Sequence, residues 1–340
     1  MRKIKTSEAV GMVLCHDVTK IVPGEFKGPA FKKGHVVKEE DVPELLKIGK
    51  ENLYVWECDK NSLHENDAAI RICEAAAGKN LFLTQPKEGR VNLKSAQRGL
   101  LKINVEVLSE INAIEEVTLA TRHTNIAVEK EETVAGCRVI PLIIKQEKVE
   151  QVEEICAQSG PVIEIKPYRQ LKTGIITTGN EVYSGRITDC FGPMVRDKLE
   201  NIGCPVIRHD LLSDNSAQIA TKIKEQISQG AEMVVVTGGM SVDPDDATPG
   251  GVKQTGAQII TYGTPLFPGA MFLLAYLDNV PILGLPGCVM YHQATVFDII
   301  LPRIVAGETV TRTDITRLGH GGLCLDCPTC RFPHCSFGKG

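Results

Sequence analysis

Across residues 173–305 the apolar positions fall into short dense runs separated by stretches of helical period. The runs at 174–177, 205–209, 233–236, 257–261 and 280–285 have the length and branched content of strands. Between them, MVRDKLENIG sets Met194, Leu199 and Ile202 on one side of a helix that Gly203 ends. A second helical stretch, 217–229, lies between an N-cap at Asn215 or Ser216 and the stop at Gly230, and 290–305 reads as a last helix. Strands alternating with helices predict an α/β fold, a mostly parallel sheet sandwiched by helices with its ligands at the carboxyl ends of the strands.

The pattern before residue 166 is less regular. It predicts helices over 38–48, 65–77 and 148–157 and strands over 53–55 and 138–144, a smaller α+β domain whose plain reading is a scaffold or a dimerisation surface. The expected organisation is therefore residues 1–165, an α/β domain at 166–308, and a tail at 309–340 rich in Gly, Cys and Pro. That tail has too few apolar residues to form a core without a metal. A length of 340 residues agrees with more than one domain, since single cores stop growing near roughly 250–300 residues.

Composition narrows the partners. A formal net charge of −4 gives no general affinity for nucleic acid or anionic membrane, so an anionic ligand has to be held by local groups. The apolar run at 10–15 is shorter than a secretory core needs, and no run reaches the roughly 18 apolar residues of a membrane span. The expectation is a cytoplasmic protein whose 12 cysteines stay reduced.

Three strand ends carry glycine motifs: TTGNE at 177–181, TGGMS at 237–241 and LPGC at 285–288. Glycine lets backbone approach a ligand closely, and successive N–H groups in such turns make an anion-binding concavity. Thr178, Gly179, Asn180, Thr237, Gly238, Gly239, Met240, Ser241, Pro286 and Gly287 are thus the candidate binding residues, expected on one edge of the sheet. Neither a P-loop nor a G-x-G-x-x-G dinucleotide fingerprint occurs. Carboxylates gather at the same turns: Glu181 after the first, and Asp243, Asp245 and Asp246 after the second. Carboxylate and water surroundings suit Mg²⁺, which takes one or two protein carboxylates together with substrate phosphates. Glu181 and Asp246 are the candidates for metal or acid–base roles, while Asp210 and Asp243 read more simply as loop or cap residues.

The unit VVVTGGMSVDPDDATP, with TTGNEV before it and ILGLPG after it, resembles the molybdopterin-binding domain of molybdenum-cofactor biosynthesis proteins. That domain is shared by molybdopterin adenylyltransferases and molybdopterin molybdenumtransferases. The resemblance implies that the TGGMS turn receives the pterin's phosphate or adenylate, that Asp246 binds Mg²⁺ or helps in the adenylate chemistry, and that Asp214 faces the pocket. It further implies molybdate as co-substrate, a homodimer, and a client molybdoenzyme. The N-terminal stretch FKKGHVVKEEDVPELLKIGKENLYV is similar to an insertase segment. The chain departs from that branch where D-N-S-A-M-D-G-Y is missing, LPGN-P reads LPGCV, and TPLFPGAMF lacks the lysines of K-P-G-K-P. A non-catalytic carrier or redox sensor, and the related nucleotide-hydrolase branch, are the alternatives.

The tail CLDCPTCRFPHC spaces Cys324, Cys327, Cys330 and Cys335 as C-x2-C-x2-C-x4-C. Four thiolates at this spacing suit Zn²⁺ or an iron–sulfur cluster, with His334 as an alternative ligand.

Overall fold

The computed structural model describes residues 2–22, 26–55, 61–241, 243 and 246–339. Asp245 lies outside them. The chain divides into two compact units, the first made of Met1–Ala96, Ile103–Arg122 and Glu131–Glu164, the second of Gln97–Lys102, His123–Lys130 and Ile165–Gly340.

In the first unit, Arg2–Lys5 pairs antiparallel with Asn52–Val55, and Val18–Val22 forms a hairpin with Phe26–Phe31. Ile4, Leu14, Leu45, Leu53 and Val55 close the small core between them. The 38–48 stretch is a 3₁₀ turn, Glu39–Asp41, followed by the short helix Val42–Lys47, with Pro43 in its first turn where a missing N–H is harmless. A four-stranded antiparallel sheet follows, in the order Leu81–Leu83, Val91–Ser95, Thr133–Val139, Val117–Thr121. Helices Glu65–Ala76 and Gln146–Ser159 pack against each other, and Glu65–Ala76 also packs on this sheet. The stretch expected as one strand at 138–144 is two, because the chain turns at Ile140–Pro141 before Ile143–Lys145 pairs with Ser62–His64.

The second unit is built on a six-stranded sheet, ordered Val206–Leu212, Thr173–Thr178, Met233–Thr237, Val280–Leu285, Leu273–Leu277, Gln258–Tyr262. The first four strands are parallel; Leu273–Leu277, a strand the sequence pattern did not announce, is antiparallel to both its neighbours, so that Gln258–Tyr262 again runs with the first four. Thr173–Thr178 and Met233–Thr237 are buried along their whole length, as central strands covered on both faces must be. Phe191–Asn201 buries Phe191, Val195 and Leu199, an i, i+4, i+8 stripe, and leaves Met194 only half-buried. Ser216–Ser228 begins at Asn215, whose side chain accepts from the Gln218 N–H at 3.0 Å. The helix expected over 290–305 starts at Val296 rather than at 290, because Thr295 and Asp298 form a capping box there.

The tail folds onto this unit. Arg312–Arg317 is a helix capped by Thr311 and Asp314, Phe337 is 3% exposed within the main core, and Cys324, Phe332 and Cys335 pack against that core. Two phenylalanines and two inward cysteines thus give the tail apolar contact with the unit that its own composition did not announce. Among the described residues no helix is long and apolar enough to cross a membrane.

Candidate functional site

The three glycine motifs leave the sheet side by side. Thr177 pairs with Thr237, and Thr237 with Leu285, so the turns after them open at one carboxyl edge. A cavity of about 810 Å³ lies there, within the size range of sites for small organic ligands.

The central turn has an unusual backbone. Gly238 (φ +86°) and Gly239 (φ +55°) are both left-handed, and a Cβ on Gly238 would stand 2.3 Å from the Thr178 carbonyl oxygen. Only glycine fits. The turn is also tied from behind. The Thr248 hydroxyl donates to the Gly238 carbonyl (2.9 Å), the Thr248 N–H donates to the Gly239 carbonyl (3.2 Å), and the Tyr262 hydroxyl lies 3.0 Å from the Met240 carbonyl. Because a trans peptide directs its N–H opposite to its C=O, the N–H groups of Gly239, Met240 and Ser241 face away from these partners. Those three residues line the cavity.

Thr178, Glu181, Gly238, Gly239, Met240, Ser241, Asp246, Pro286 and Gly287 are the sequence-expected residues that the fold brings to this cavity. Gly179, Asn180, Thr237 and Asp214 do not line it. Thr237 is fully buried and donates to the Thr177 hydroxyl at 3.2 Å. Gly179 (φ +145°) turns the chain into the single helical turn Asn180–Tyr183. Asp214 accepts from the Asn180 N–H (2.9 Å) while the Asn180 side chain accepts from the Asp214 N–H (3.3 Å), a reciprocal clasp that locks two loops. Asp246 lines the cavity yet also shapes its loop, accepting from the Asp243 N–H at 3.1 Å. Asp210 sits inside its strand, bonded to Arg208 (2.8 Å) and Gln226 (2.9 Å), which accords with a structural role.

One part of the site escaped sequence reasoning. Asp189 lines the cavity, and its Oδ1 accepts from the N–H groups of Phe191 and Gly192 (2.8 and 2.9 Å), starting the helix there. Its Oδ2 accepts from the Thr177 hydroxyl at 3.1 Å, and His209 Nε2 lies 2.9 Å from that hydroxyl and 3.2 Å from Oδ2. With the Thr177 proton directed to Asp189, His209 bears its proton on Nε2. Burial lowers the His209 pKa, against the opposing charge of Asp189, which favours a neutral ring. The visible clue was an Asp shortly before a helix containing Pro193, an N-cap signal.

The electrostatics of the cavity follow from its lining. Glu181, Asp189 and Asp246 face it, and no Lys or Arg is among the described residues that do. Among the described residues no three His, Cys, Asp or Glu side chains are gathered as metal ligands, at these carboxylates or in the tail. Cys324 and Cys335 turn toward the core while Cys327 and Cys330 are exposed, so the four thiols do not converge. All four nevertheless line one smaller cavity of about 200 Å³, and Tyr291 is a wall common to it and the large one.

A mostly parallel sheet whose glycine turns open together at its carboxyl edge has the architecture in which α/β domains hold their ligands. Residues 174–306 match the family model described as "Probable molybdopterin binding domain". Residues 3–57 match a domain of unknown function, DUF8806. The chain is similar to the molybdopterin molybdenumtransferase of Haemophilus influenzae, 33% identical over 150 residues that cover 42% of this chain and 37% of that protein. It is 24% identical over 185 residues to that of Synechococcus elongatus, covering 52% and 46%. A CinA-like protein of Mycobacterium tuberculosis is 32% identical over 77 residues, 23% of this chain and 18% of its own. The chain thus spans less than half the length of these curated relatives. Among solved structures, the molybdopterin biosynthesis enzyme MoaB from a Thermus species superposes with a TM-score of 0.33 at 17% identity, over 41% of this chain and 98% of its own.

Proposed function

We propose that the protein binds molybdopterin or its adenylate in the 810 Å³ cavity and assists Mg²⁺-dependent insertion of molybdate, as a molybdopterin molybdenumtransferase-like enzyme. The observation that carries this reading is the cavity lining in a domain of that family: a glycine turn whose N–H groups face away from its tethers, beside three carboxylates and no basic side chain. Backbone donors alone do not bring a phosphate next to Glu181, Asp189 and Asp246 against their repulsion; a divalent cation between them does. Asp246 and Glu181 would hold Mg²⁺, which would neutralise phosphate charge there. Asp189, kept in place by Thr177 and His209, fixes the rim.

The finer assignments rest on the same reading. A homodimer, delivery to a client molybdoenzyme, and a cytoplasmic location are part of it, the last supported by 11 described cysteines that are all free. In the tail, a soft metal, zinc or an iron–sulfur cluster, would need Cys327 and Cys330 to swing toward Cys324 and Cys335 across the cavity they share.

The test is reconstitution. Purified full-length protein is mixed with molybdopterin or its adenylate, molybdate and Mg²⁺, and activity is measured in a cofactor-free molybdoenzyme added afterwards. Restored activity that requires Mg²⁺ supports the proposal. Pterin binding without restoration leaves a carrier, and hydrolysis of pyridine nucleotides without pterin binding moves the protein to the hydrolase branch.

A further inference from the structure

The first unit holds a polar cavity of about 270 Å³ that the proposed function does not use. Its wall draws on segments far apart in sequence: His16 and Asp17, Lys33, the start of the helix Glu65–Ala76, the Glu88–Gly89 turn, and Arg138 on the strand Thr133–Val139.

Two observations mark it as built for a ligand. His16 Nδ1 and Asn66 Oδ1, both buried in this wall, have no hydrogen-bond partner, although buried polar atoms are otherwise nearly always satisfied. Their neighbour is fully engaged: His64 Nδ1 accepts from the Asn66 N–H (3.1 Å) and His64 Nε2 donates to the Cys15 carbonyl (2.5 Å), which fixes the helix start. The second is a close approach. A Cβ on Gly89 (φ +75°) would lie 2.1 Å from Glu65 Oε2, so the Glu65 carboxylate occupies space that only glycine leaves open. Glu65 is therefore held at the cavity, with the Arg138 guanidinium 4.0 Å away, too long for a hydrogen bond.

We propose that this cavity binds a small zwitterion of amino-acid size, its carboxylate paired with Arg138 and its ammonium group donating to Glu65 and, once the side chain turns out of the wall, to Asn66 Oδ1. Both signs of charge face a small volume, Lys33 and Arg138 against Asp17, Glu65 and Glu88, which suits a ligand carrying both and repels a bare anion such as phosphate or molybdate. Burial lowers the His16 pKa, with the nearby Lys50 acting the same way against Asp17, so the ring is neutral and Nδ1 takes a hydrogen bond rather than an ion pair. The domain of unknown function at residues 3–57 supplies His16, Asp17 and Lys33, and so gains a role in recognition.

The experiment is calorimetry and thermal unfolding of the full chain with each common L-amino acid in turn, and with acetate, methylammonium, phosphate and molybdate as controls. The expected result is saturable binding of one or a few amino acids, weakened at least about tenfold in Arg138→Gln and in Asn66→Ala, each losing one charge-assisted or buried hydrogen bond. Arg138→Lys restores part of the affinity, and circular dichroism verifies that each variant is folded. Binding of phosphate or molybdate in place of amino acids overturns the proposal. So does binding that survives both substitutions, or no binding by any member of the panel.

Discussion

The two cavities are made in opposite ways. In the second unit the proposed recognition surface is backbone: two left-handed glycines, their carbonyls tied back by Thr248 and the next carbonyl, of Met240, by Tyr262, present N–H groups at a sheet edge. In the first unit it is side chain: His16, Glu65, Asn66 and Arg138 arrive from three segments spread over more than a hundred residues. A backbone cradle tolerates no added atom but has nothing to titrate. A side-chain wall accepts exchange one group at a time, and its charges answer to pH.

The largest expected effect follows from the first half of that contrast. Gly238→Ala places a methyl 2.3 Å from the Thr178 carbonyl oxygen at a φ of +86°. The turn must open or twist, at a cost on the order of 2–4 kcal/mol, and its N–H groups lose their common aim. Pterin binding, followed by fluorescence of the oxidised pterin, should be abolished. A variant that binds normally would show that side chains, not the turn, hold the ligand.

Next in size is the tether. Thr248→Val keeps the shape and deletes the hydroxyl that serves the Gly238 carbonyl and contacts Thr178 at 3.2 Å. Leaving that carbonyl without a partner costs about 1–3 kcal/mol, read as a lower midpoint in urea. Pterin affinity should fall with it. Loss of stability with unchanged affinity would separate the tether from the cradle.

This contrast also explains what the sequence disclosed. The glycine turns were legible because Gly-Gly after a buried strand reports a backbone conformation, and the strand ends of a parallel sheet must lie on one edge. Asp189 and His209 were not, since their meeting at Thr177 depends on the parallel pairing of Thr173–Thr178 with Val206–Leu212. The cavity around His16 was invisible for the same reason: no local pattern couples residue 16 to residues 65 and 138. The cysteine spacing was legible as a ligand set, yet Phe337 in the core places two of the four thiols against apolar surface. Asp214 shows the converse, an acid expected at the pocket that closes a loop with Asn180.

The two acids beside the cradle come next. Asp246→Asn keeps an acceptor for the Asp243 N–H and so preserves the loop, and Glu181→Gln changes a half-turn exposed to the cavity. Both should raise the Mg²⁺ concentration needed for activity by about tenfold, the loss of one of two carboxylate ligands. Pterin binding without Mg²⁺ should tighten slightly as repulsion of the phosphate falls. If the Mg²⁺ requirement does not move, the cation is held elsewhere.

The last effect concerns pH, and it tests whether the second unit, outside its cradle, behaves like a side-chain assembly. Glu308 is bonded to Lys102 (2.7 Å), Lys166 (3.1 Å) and Arg303 (2.9 Å). Burial by itself would raise its pKa, but hydrogen bonds from Lys102, Arg303 and Lys166 bring it down to about 2 from the ordinary 4.5. Since the folded state releases this proton more readily than the unfolded chain, the stabilisation is complete above the unfolded value. It is lost as pH falls from about 4.5 through about 2, where Glu308 is protonated in both states. Its size is on the order of 2 kcal/mol once solvent screening is allowed for. Glu308→Gln should therefore unfold at a lower urea midpoint than the parent protein at pH 7, with the gap closing toward acid. Asp314 contributes in the same window, since its own pKa is held to about 2 by Thr311 and Arg303 against the opposing effect of burial. A gap that stays constant down to the acid limit would mean that Glu308 acts through packing, and that charge does not hold Lys102 and Lys166 to the helix end.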